Sequence, residues 1–224
     1  MTWIKICGTT NLEDALAAVE AGADALGFVF AESTRRISAE SAAEIIGHVP
    51  VNVEKIGVFV SETSEQIKRI AAQAGLTAVQ LHRWAEDQGR SRVEVIPVLH
   101  MTNIEELECN ALLSLDKRFR RLLLDSGNAE KGGGTGKRFD WIRAAAFLKS
   151  ASLADRFQVI VAGGLTPENV GEAVDVFHPF GVDVVSGVER EKGKKDLDKV
   201  RAFVAAVRAA DARAQEASKV KTCQ

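Results

Sequence analysis

Three features are scarce in this 224-residue sequence: cysteine, long apolar runs and an excess of charge of either sign. Its three cysteines, Cys7, Cys109 and Cys223, are odd in number and have neither zinc-site nor C-x-x-C spacing. No run approaches the roughly 20 apolar residues of a membrane span. The N-terminal residues also lack the charged region and apolar core of a secretory signal. We therefore expect a protein of the reducing cytoplasm, with no membrane partner and no metal site.

The charge balance argues against nucleic acid as a partner. The 29 Lys and Arg residues nearly match the 31 Asp and Glu residues, and the net charge is -2. A nucleic-acid-binding face would need a concentrated basic patch. The basic clusters are instead scattered, at 35–36, 120–121 and 192–195, and we interpret them as solvated surface residues.

Short β-type segments alternate with helical patterns eight times. The predicted strands are 3–7, 25–30, 55–60, 78–82, 93–99, 121–125, 158–162 and 182–185. The predicted helices are 11–21, 39–47, 62–74, 104–113, 139–150, 167–177 and 196–212, with a weaker pattern near 84–89. Such alternation indicates βαβ units and a parallel sheet.

Eight such units favour one α/β domain, a (β/α)8 TIM barrel of eight parallel strands. A weak repeat supports this count, since segments at 21–27, 74–80 and 180–186 each place a glycine between a helix and an apolar strand. The poor fourth helix and Pro97, late in the fifth strand, leave an open doubly wound sheet as the alternative. We assign residues 1–210 to the catalytic barrel and 211–224 to a charged, alanine-rich tail. We expect residues 209–224 to fray beyond the last helix.

Glycine-rich turns end the last two predicted strands, at Gly163-Gly164 and at Ser186-Gly187. Glycine lets backbone N–H groups approach a ligand closely, and the last two turns of a (β/α)8 barrel commonly bind phosphate. Thr166 followed by Pro167 further predicts a helix start behind the first turn. We predict that Gly163, Gly164, Ser186 and Gly187 bind a phosphate group, the alternative being that these glycines only make tight turns.

Catalytic groups of a (β/α)8 barrel stand at the C-terminal ends of its strands. That position selects Cys7, Gln80, His82 and Asp125. A thiol has a reference pKa near 8.5, so a modest shift would make Cys7 a usable base. Desolvation would raise the pKa of Asp125 toward that of a useful acid. The competing interpretations are a small buried hydrophobic residue for Cys7 and a loop-capping carboxylate for Asp125.

The glycine-rich segment 131–137 does not fit a nucleotide-binding loop. Lys137 is followed by Arg138 instead of Ser or Thr, and no glycine stands five residues before Gly136. We interpret this segment as a lid, hinged on glycines, that excludes water when substrate binds.

Nine motifs in this order resemble those of the phosphoribosylanthranilate isomerases of tryptophan biosynthesis. They are KICG at 5–8, NLEDA at 11–15, GADALGFVF at 22–30, VQLH at 79–82, LLD at 123–125, GGTG at 133–136, FDW at 139–141, AGGLTPENV at 162–170 and VDVVSGVE at 182–189. The resemblance runs from about residue 3 to residue 209. Each motif alone is modest, but nine in the correct order are very specific.

The resemblance implies an isomerase that interconverts an aldose and a ketose without a cofactor. Its reaction would be the Amadori rearrangement of N-(5-phosphoribosyl)anthranilate to the 1-(2-carboxyphenylamino)-1-deoxyribulose 5-phosphate. It implies that Asp125 is the general acid that opens the ribose ring and Cys7 the general base that removes the C2′ proton. Arg35 would bind the anthranilate carboxylate, with Arg36 as the alternative. Gln80, His82 and Asp183 would bind or orient the substrate, although Asp183 could equally bond only to backbone.

Two departures from the family pattern stand near these positions. Arg83 replaces a usual glycine and could crowd or extend the substrate site. Val185 replaces a usual serine, which matters only if a side-chain hydroxyl helps to hold phosphate.

Other functions and assemblies stay open on the sequence. Indole-glycerol-phosphate synthase should carry catalytic lysines on its strands, where this chain has only Lys5 and Lys55. The histidine-pathway isomerase should have an aspartate at the position of Cys7. A binder without catalysis would need neither Cys7 nor Asp125. A second, histidine-pathway substrate and the choice between monomer and homodimer are not decided by the sequence.

Overall fold

The computed structural model describes residues 1–83, 93–101, 119–127 and 139–222, with side chains through residue 219. Eight parallel strands, β1 to β8, pair in chain order, and β8 pairs back onto β1 to close a barrel. The strands are Trp3–Cys7, Ala25–Val29, Glu54–Phe59, Ala78–Leu81, Glu94–His100, Arg121–Asp125, Gln158–Val161 and Gly181–Val184. The closed barrel confirms the predicted fold and excludes the open doubly wound sheet.

The helices cover the outside of the barrel. Numbered in chain order, α1 to α7 are Leu12–Glu20, Ala39–Ile46, Ser64–Ala74, Trp141–Ser150, Leu153–Arg156, Val170–Phe177 and Leu197–Thr222. A short antiparallel hairpin, β9 (Glu189–Glu191) with β10 (Lys194–Lys195), follows β8 through a 3₁₀ turn. The sequence predicted neither the hairpin nor α5.

Local signals explain where these helices begin and end. The Asn11 side chain accepts a hydrogen bond from the backbone N–H of Asp14 at the start of α1. Thr63 and Gln66 form a reciprocal capping box on α3, which ends at Gly75 in the left-handed conformation. Of these signals, the sequence prediction used only Gly75, which stands in the repeated glycine-containing segment at 74–80.

The structure contradicts two expectations about helix ends. Helix α6 begins at Val170, whereas 167–169 form a turn, so the predicted start at Thr166 and Pro167 is wrong. Helix α7 continues to Thr222, so the predicted fraying beyond the last helix is also wrong. Asp211 accepts hydrogen bonds from Thr2, which anchors the start of the supposed tail. The predicted helices at 84–89 and 104–113, the lid at 131–137, Cys109 and Cys223 lie outside the described residues.

Side-chain alternation along the strands separates two cores. Outward-facing residues such as Ile4, Ile6 and Leu26 pack against the helices. Inside the barrel an apolar layer is formed by Ala25, Ile56, Ala78, Ile96, Val98, Leu123, Ile160 and Ala162. The interior positions of β1 are Trp3, Lys5 and Cys7, so one strand contributes to the bottom, the middle and the top of the barrel. Alternation therefore decides which residues can reach a site at the C-terminal end.

Candidate active site

A pocket opens at the C-terminal ends of the barrel strands. It encloses about 810 Å³, part of which is open to solvent. Nine of the ten residues that the sequence selected line it: Cys7, Arg35, Gln80, His82, Asp125, Gly163, Gly164, Asp183 and Ser186. The tenth, Gly187, is outside the described lining and packs against Leu165, which lines the pocket.

Cys7 lies at the end of β1, buried against β2. It is in register with Gly27, where a Cβ atom would come within 2.5 Å of the Cys7 sulfur. Burial raises the pKa of the Cys7 thiol, whereas the nearby Lys5 and Lys195 ammonium groups act to lower that pKa. The expectation of a modest shift toward a ready base is therefore wrong, because desolvation outweighs the cations and favours the neutral thiol.

Asp125 ends β6 on the opposite part of the rim. Its carboxylate accepts a hydrogen bond from the backbone N–H of Gly127 at 3.2 Å, and it is in register with His100 of β5. Burial raises the pKa of Asp125, while the Gly127 hydrogen bond and His100 partly oppose this. The direction agrees with the sequence-based expectation, and it favours a carboxylic acid that can donate a proton.

A buried chain of hydrogen bonds connects four more interior residues. The Lys5 ammonium lies 3.0 Å from Asp183 Oδ1 and 3.0 Å from Gln80 Oε1. Because an ammonium only donates, the oxygen of the Gln80 amide must face Lys5, and the amide nitrogen then faces His82 Nε2 at 3.2 Å. The Asp183 carboxylate therefore binds a side chain inside the barrel, and it does not bond only to backbone.

The hydrogen bond from Gln80 and the burial of the ring determine the protonation of His82. Burial, together with His100 and Lys5, lowers the pKa of His82 to about 3, so the imidazole is neutral. Its Nε2 accepts from the Gln80 amide, which places the single ring proton on Nδ1. That Nδ1 is buried and has no hydrogen-bond partner among the residues that the structure describes. His82 therefore presents an unused N–H donor in a side chain that lines the pocket.

Arg35 is the arginine that lines the pocket, while its neighbour Arg36 is exposed and lies outside the described lining. The Arg35 guanidinium makes a two-point ion pair with Glu189, with Nε–Oε1 and Nη2–Oε2 distances of 2.7 Å. Hydrogen bonding to Glu189 raises the pKa of Arg35, which keeps the guanidinium cationic.

Lys195 of β10 is a buried cation that the sequence interpretation missed. Its ammonium donates to the carbonyl of Cys7 at 2.5 Å and to the carbonyl of Val185 at 3.2 Å, and it lies 3.4 Å from Glu189. Its side chain is 0% exposed, so the reading of cluster 192–195 as solvated is wrong at this residue. The same correction applies to Arg121, which is buried at the bottom of the barrel between Glu54 and Glu94.

The sequence predicts Lys5 only as a strand residue, although alternation from Cys7 also places it inside the barrel. For Lys195, no periodic signal distinguishes it from the exposed Lys194.

The two glycine-rich turns lie against each other. Gly163 and Gly164 have φ values of +83° and +69°, which side chains rarely adopt. A Cβ at Gly187 would collide with the carbonyl oxygen of Leu165, in the turn after β7. Both turns therefore bring backbone to one edge of the pocket. Helix α6 begins at Val170, so the predicted helix start directly behind the first turn is absent.

Neither departure from the family pattern closes the pocket. Arg83 is exposed and lies outside the described lining. Val185 lines the pocket, and its carbonyl is held by Lys195. In the described part of the chain, no group of three or more His, Cys, Asp or Glu side chains is arranged to hold a metal ion, and none of the helices found there is long and apolar enough to cross a membrane.

The fold and the site define a (β/α)8-barrel enzyme with a buried carboxyl group, whose pKa is raised, and a thiol facing one pocket. The sequence matches the family model of N-(5′-phosphoribosyl)anthranilate isomerase over residues 4–206. The isomerase of Pelobacter propionicus is 44% identical over 208 residues, which cover 91% of this chain and 94% of that protein. This chain belongs to the phosphoribosylanthranilate isomerase family.

Solved structures agree with this assignment. A phosphoribosylanthranilate isomerase in complex with reduced 1-(o-carboxyphenylamino)-1-deoxyribulose 5-phosphate is 41% identical, with a TM-score of 0.79. Monomers generated from the dimeric isomerase of Thermotoga maritima are 40% identical, with a TM-score of 0.78. Each alignment covers 93% of this chain and all of the other.

Proposed function

We propose that this isomerase converts N-(5-phosphoribosyl)anthranilate to 1-(2-carboxyphenylamino)-1-deoxyribulose 5-phosphate in tryptophan biosynthesis, with Asp125 as general acid and Cys7 as general base. The observation that carries the proposal is the joint placement of Cys7 and Asp125 on one pocket in a chain of this family. The raised pKa of Asp125 supports its role, because the first step needs a protonated carboxyl group.

In the first step the Asp125 carboxyl group gives its proton to the ribose ring oxygen. The bond between that oxygen and C1′ breaks, the nitrogen lone pair forms a C1′=N bond, and a cationic imine results. Asp125 is left as a carboxylate, for which the backbone N–H of Gly127 is a hydrogen-bond donor. Proton transfer by a positioned acid of this kind contributes about 10²–10⁴ in rate.

In the second step the Cys7 thiolate removes the proton from C2′. The electron pair of that C–H bond forms the C1′=C2′ bond, the imine nitrogen recovers its lone pair, and an enolamine results. The enolamine becomes the ketone when its C2′ hydroxyl loses a proton and C1′ gains one. The cationic imine assists Cys7 twice, since it acidifies the C2′ proton and favours a neighbouring thiolate.

The remaining residues bind different parts of the substrate, according to their charge and hydrogen-bonding groups. Arg35 binds the anthranilate carboxylate, since it is a permanent cation that lines the pocket. The Gly163–Gly164 and Ser186–Gly187 turns bind phosphate through backbone N–H groups. His82 donates its Nδ1 proton to a substrate oxygen, Gln80 orients His82, and Asp183 acts through Lys5.

This division uses acid and base groups of the chain alone and requires no cofactor. The setting is cytoplasmic, and the assembly is a monomer or a homodimer, as supported by the dimeric relative. Size-exclusion chromatography with light scattering distinguishes the two assemblies.

The test is steady-state turnover of freshly generated phosphoribosylanthranilate, followed by the loss of anthranilate-type fluorescence. We expect Cys7→Ser and Asp125→Asn each to lower turnover by about 10² or more, while affinity for the reduced product analogue is nearly kept. Asp155→Asn, at an exposed aspartate of α5, is the control. Near wild-type turnover in either active-site variant would refute the assigned roles, and parallel assays with the histidine-pathway aldose substrate test for a second activity.

A further inference from the structure

The barrel contains a buried cation to which the reaction scheme assigns no proton-transfer step. Lys5 is 0% exposed and stands two residues before Cys7 on β1, so the two side chains point into the barrel on the same face. Its ammonium lies 3.0 Å from Asp183 Oδ1 and 3.0 Å from Gln80 Oε1. Two of its three N–H donors are thereby used, and one is left for the thiol above it.

Stability alone does not explain a charge at this level of the barrel. Apolar side chains fill the surrounding interior, among them Ala25, Ile56 and Ala78. Replacing a buried ion pair by well-packed apolar residues is often neutral or stabilising, because two charges must be desolvated to bury the pair. The presence of Lys5 and Asp183 at this level therefore points to a role in the site.

We propose that Lys5 is a positioning residue for Cys7: its ammonium is the counter-charge that allows the thiol to lose its proton inside the barrel, while Asp183 and Gln80 hold the ammonium in place. This inference rests on the proposed role of Cys7 as the base. It adds Lys5, which lies on the same strand as Cys7, to the acid–base pair of Cys7 and Asp125.

The charges around Cys7 agree with this arrangement. Among the described residues, the charged groups that act on the thiol include Lys5 on β1, Asp183 on β8, Lys195 on β10 and Arg35 in the loop after β2. Desolvation raises the Cys7 pKa most, and Lys5 is the strongest opposing influence. Although burial acts to lower it, the pKa of Lys5 is raised by Asp183 and Cys7, so Lys5 keeps its charge.

The experiment compares Lys5→Met with Lys55→Met. Methionine has a similar length without charge, and Lys55 is also a buried strand lysine, but it bonds to the carbonyl of Pro50. The ionisation of Cys7 is followed by the ultraviolet absorbance of the thiolate as a function of pH. Each protein is compared with its own Cys7→Ser counterpart, which subtracts the signals of Cys109 and Cys223.

We expect Lys5→Met to move the ionisation midpoint of Cys7 to higher pH and to lower kcat by about tenfold or more, since one pKa unit is a tenfold change in thiolate. KM should change little, and activity should recover partly as the pH rises. Lys55→Met should leave the midpoint and kcat unchanged. A midpoint that stays at its wild-type value in Lys5→Met would overturn the inference.

Lys5→Met leaves the Asp183 carboxylate without its buried partner, which can prevent folding. The variant Lys5→Met/Asp183→Asn removes both charges together and is the second test. Its Cys7 midpoint should still lie above the wild-type value, because Lys5 acts on the thiol more strongly than Asp183 does. An unchanged or lower midpoint in the double variant would also overturn the inference.

The two proposals fail in distinguishable ways. If Cys7→Ser retains full turnover, Cys7 is not the base and the proposed function of this residue fails. If Cys7→Ser abolishes turnover but the Lys5 variants do not move the Cys7 midpoint, the role of Cys7 stands and only the inference about Lys5 fails.

Discussion

Arg35 and Glu189 form a two-point ion pair in the pocket wall, with both nitrogen–oxygen distances at 2.7 Å. The residues are 154 positions apart, and the hairpin after β8 brings them together. Glu189 also lies 3.4 Å from Lys195, so one carboxylate stands between two cations. A second carboxylate, that of the substrate, would balance the remaining positive charge.

Replacement of Arg35 by methionine should weaken substrate binding more than it slows turnover. Loss of a charge-assisted hydrogen-bonding partner costs about 1.5–3 kcal/mol, which corresponds to roughly a 10- to 150-fold higher KM. The matched control is Arg36→Met, at the exposed neighbour. If KM rises in Arg36→Met and stays constant in Arg35→Met, the alternative assignment of the carboxylate-binding arginine is correct.

Lys195→Met should lower the stability of the fold. The variant leaves the carbonyls of Cys7 and Val185 without the ammonium that binds both, at a cost of about 2–4 kcal/mol. Urea denaturation measures this loss. Lys194→Met is the control, since Lys194 pairs with Glu191 on the surface, and it should change the free energy of unfolding by less than about 0.5 kcal/mol. Equal effects of the two changes would contradict the role of Lys195.

Gly187→Ala should raise KM and inhibition constants for phosphate-containing ligands, because the new methyl group would force the turn after β8 away from Leu165. Gly171→Ala, in helix α6, is the control, since its nearest neighbours are 3.5 Å or more from the added carbon. Binding of inorganic phosphate, measured by calorimetry, separates this effect from catalysis. Unchanged phosphate affinity in Gly187→Ala would argue against a phosphate site at this edge.

Asp125→Asn should be more stable than the wild type at neutral pH. The pKa of Asp125 is raised in the folded state, so the folded protein binds the proton more tightly than the unfolded chain does. Ionising this buried group therefore costs stability above its folded-state pKa. The cost disappears as the pH falls to the ordinary range of aspartate.

The measurement is chemical denaturation of both proteins as a function of pH. The stability advantage of Asp125→Asn should shrink as the medium becomes acidic. An advantage that is absent at neutral pH, or that grows in acid, would contradict the raised pKa.

Most of the fold was predicted from the strand patterns, because a parallel strand covered on both faces has a continuous apolar sequence. The predicted bounds of β1 and β6 agree with the structure, and the other strands differ by one residue at one or both ends. Alternation also puts Lys5 and Arg121 on the inward face with Cys7 and Asp125, which the sequence analysis did not predict. Helix ends were predicted less accurately than strand ends, as the start of α6 and the end of α7 show, since packing outweighs local propensity at a terminus.

The sequence by itself determined the barrel and the residues that stand at its C-terminal rim, because strand order and the end of each strand are local properties. Tertiary structure decided most of the electrostatics of those residues, although the raised pKa of Asp125 was expected from desolvation at its strand end. The pKa of Cys7 depends on burial and on the charges of Lys5, Asp183 and Lys195, and Lys195 is 188 positions away. Hydrogen bonding, desolvation and Coulomb interactions depend on distances in space, which a one-dimensional pattern does not contain.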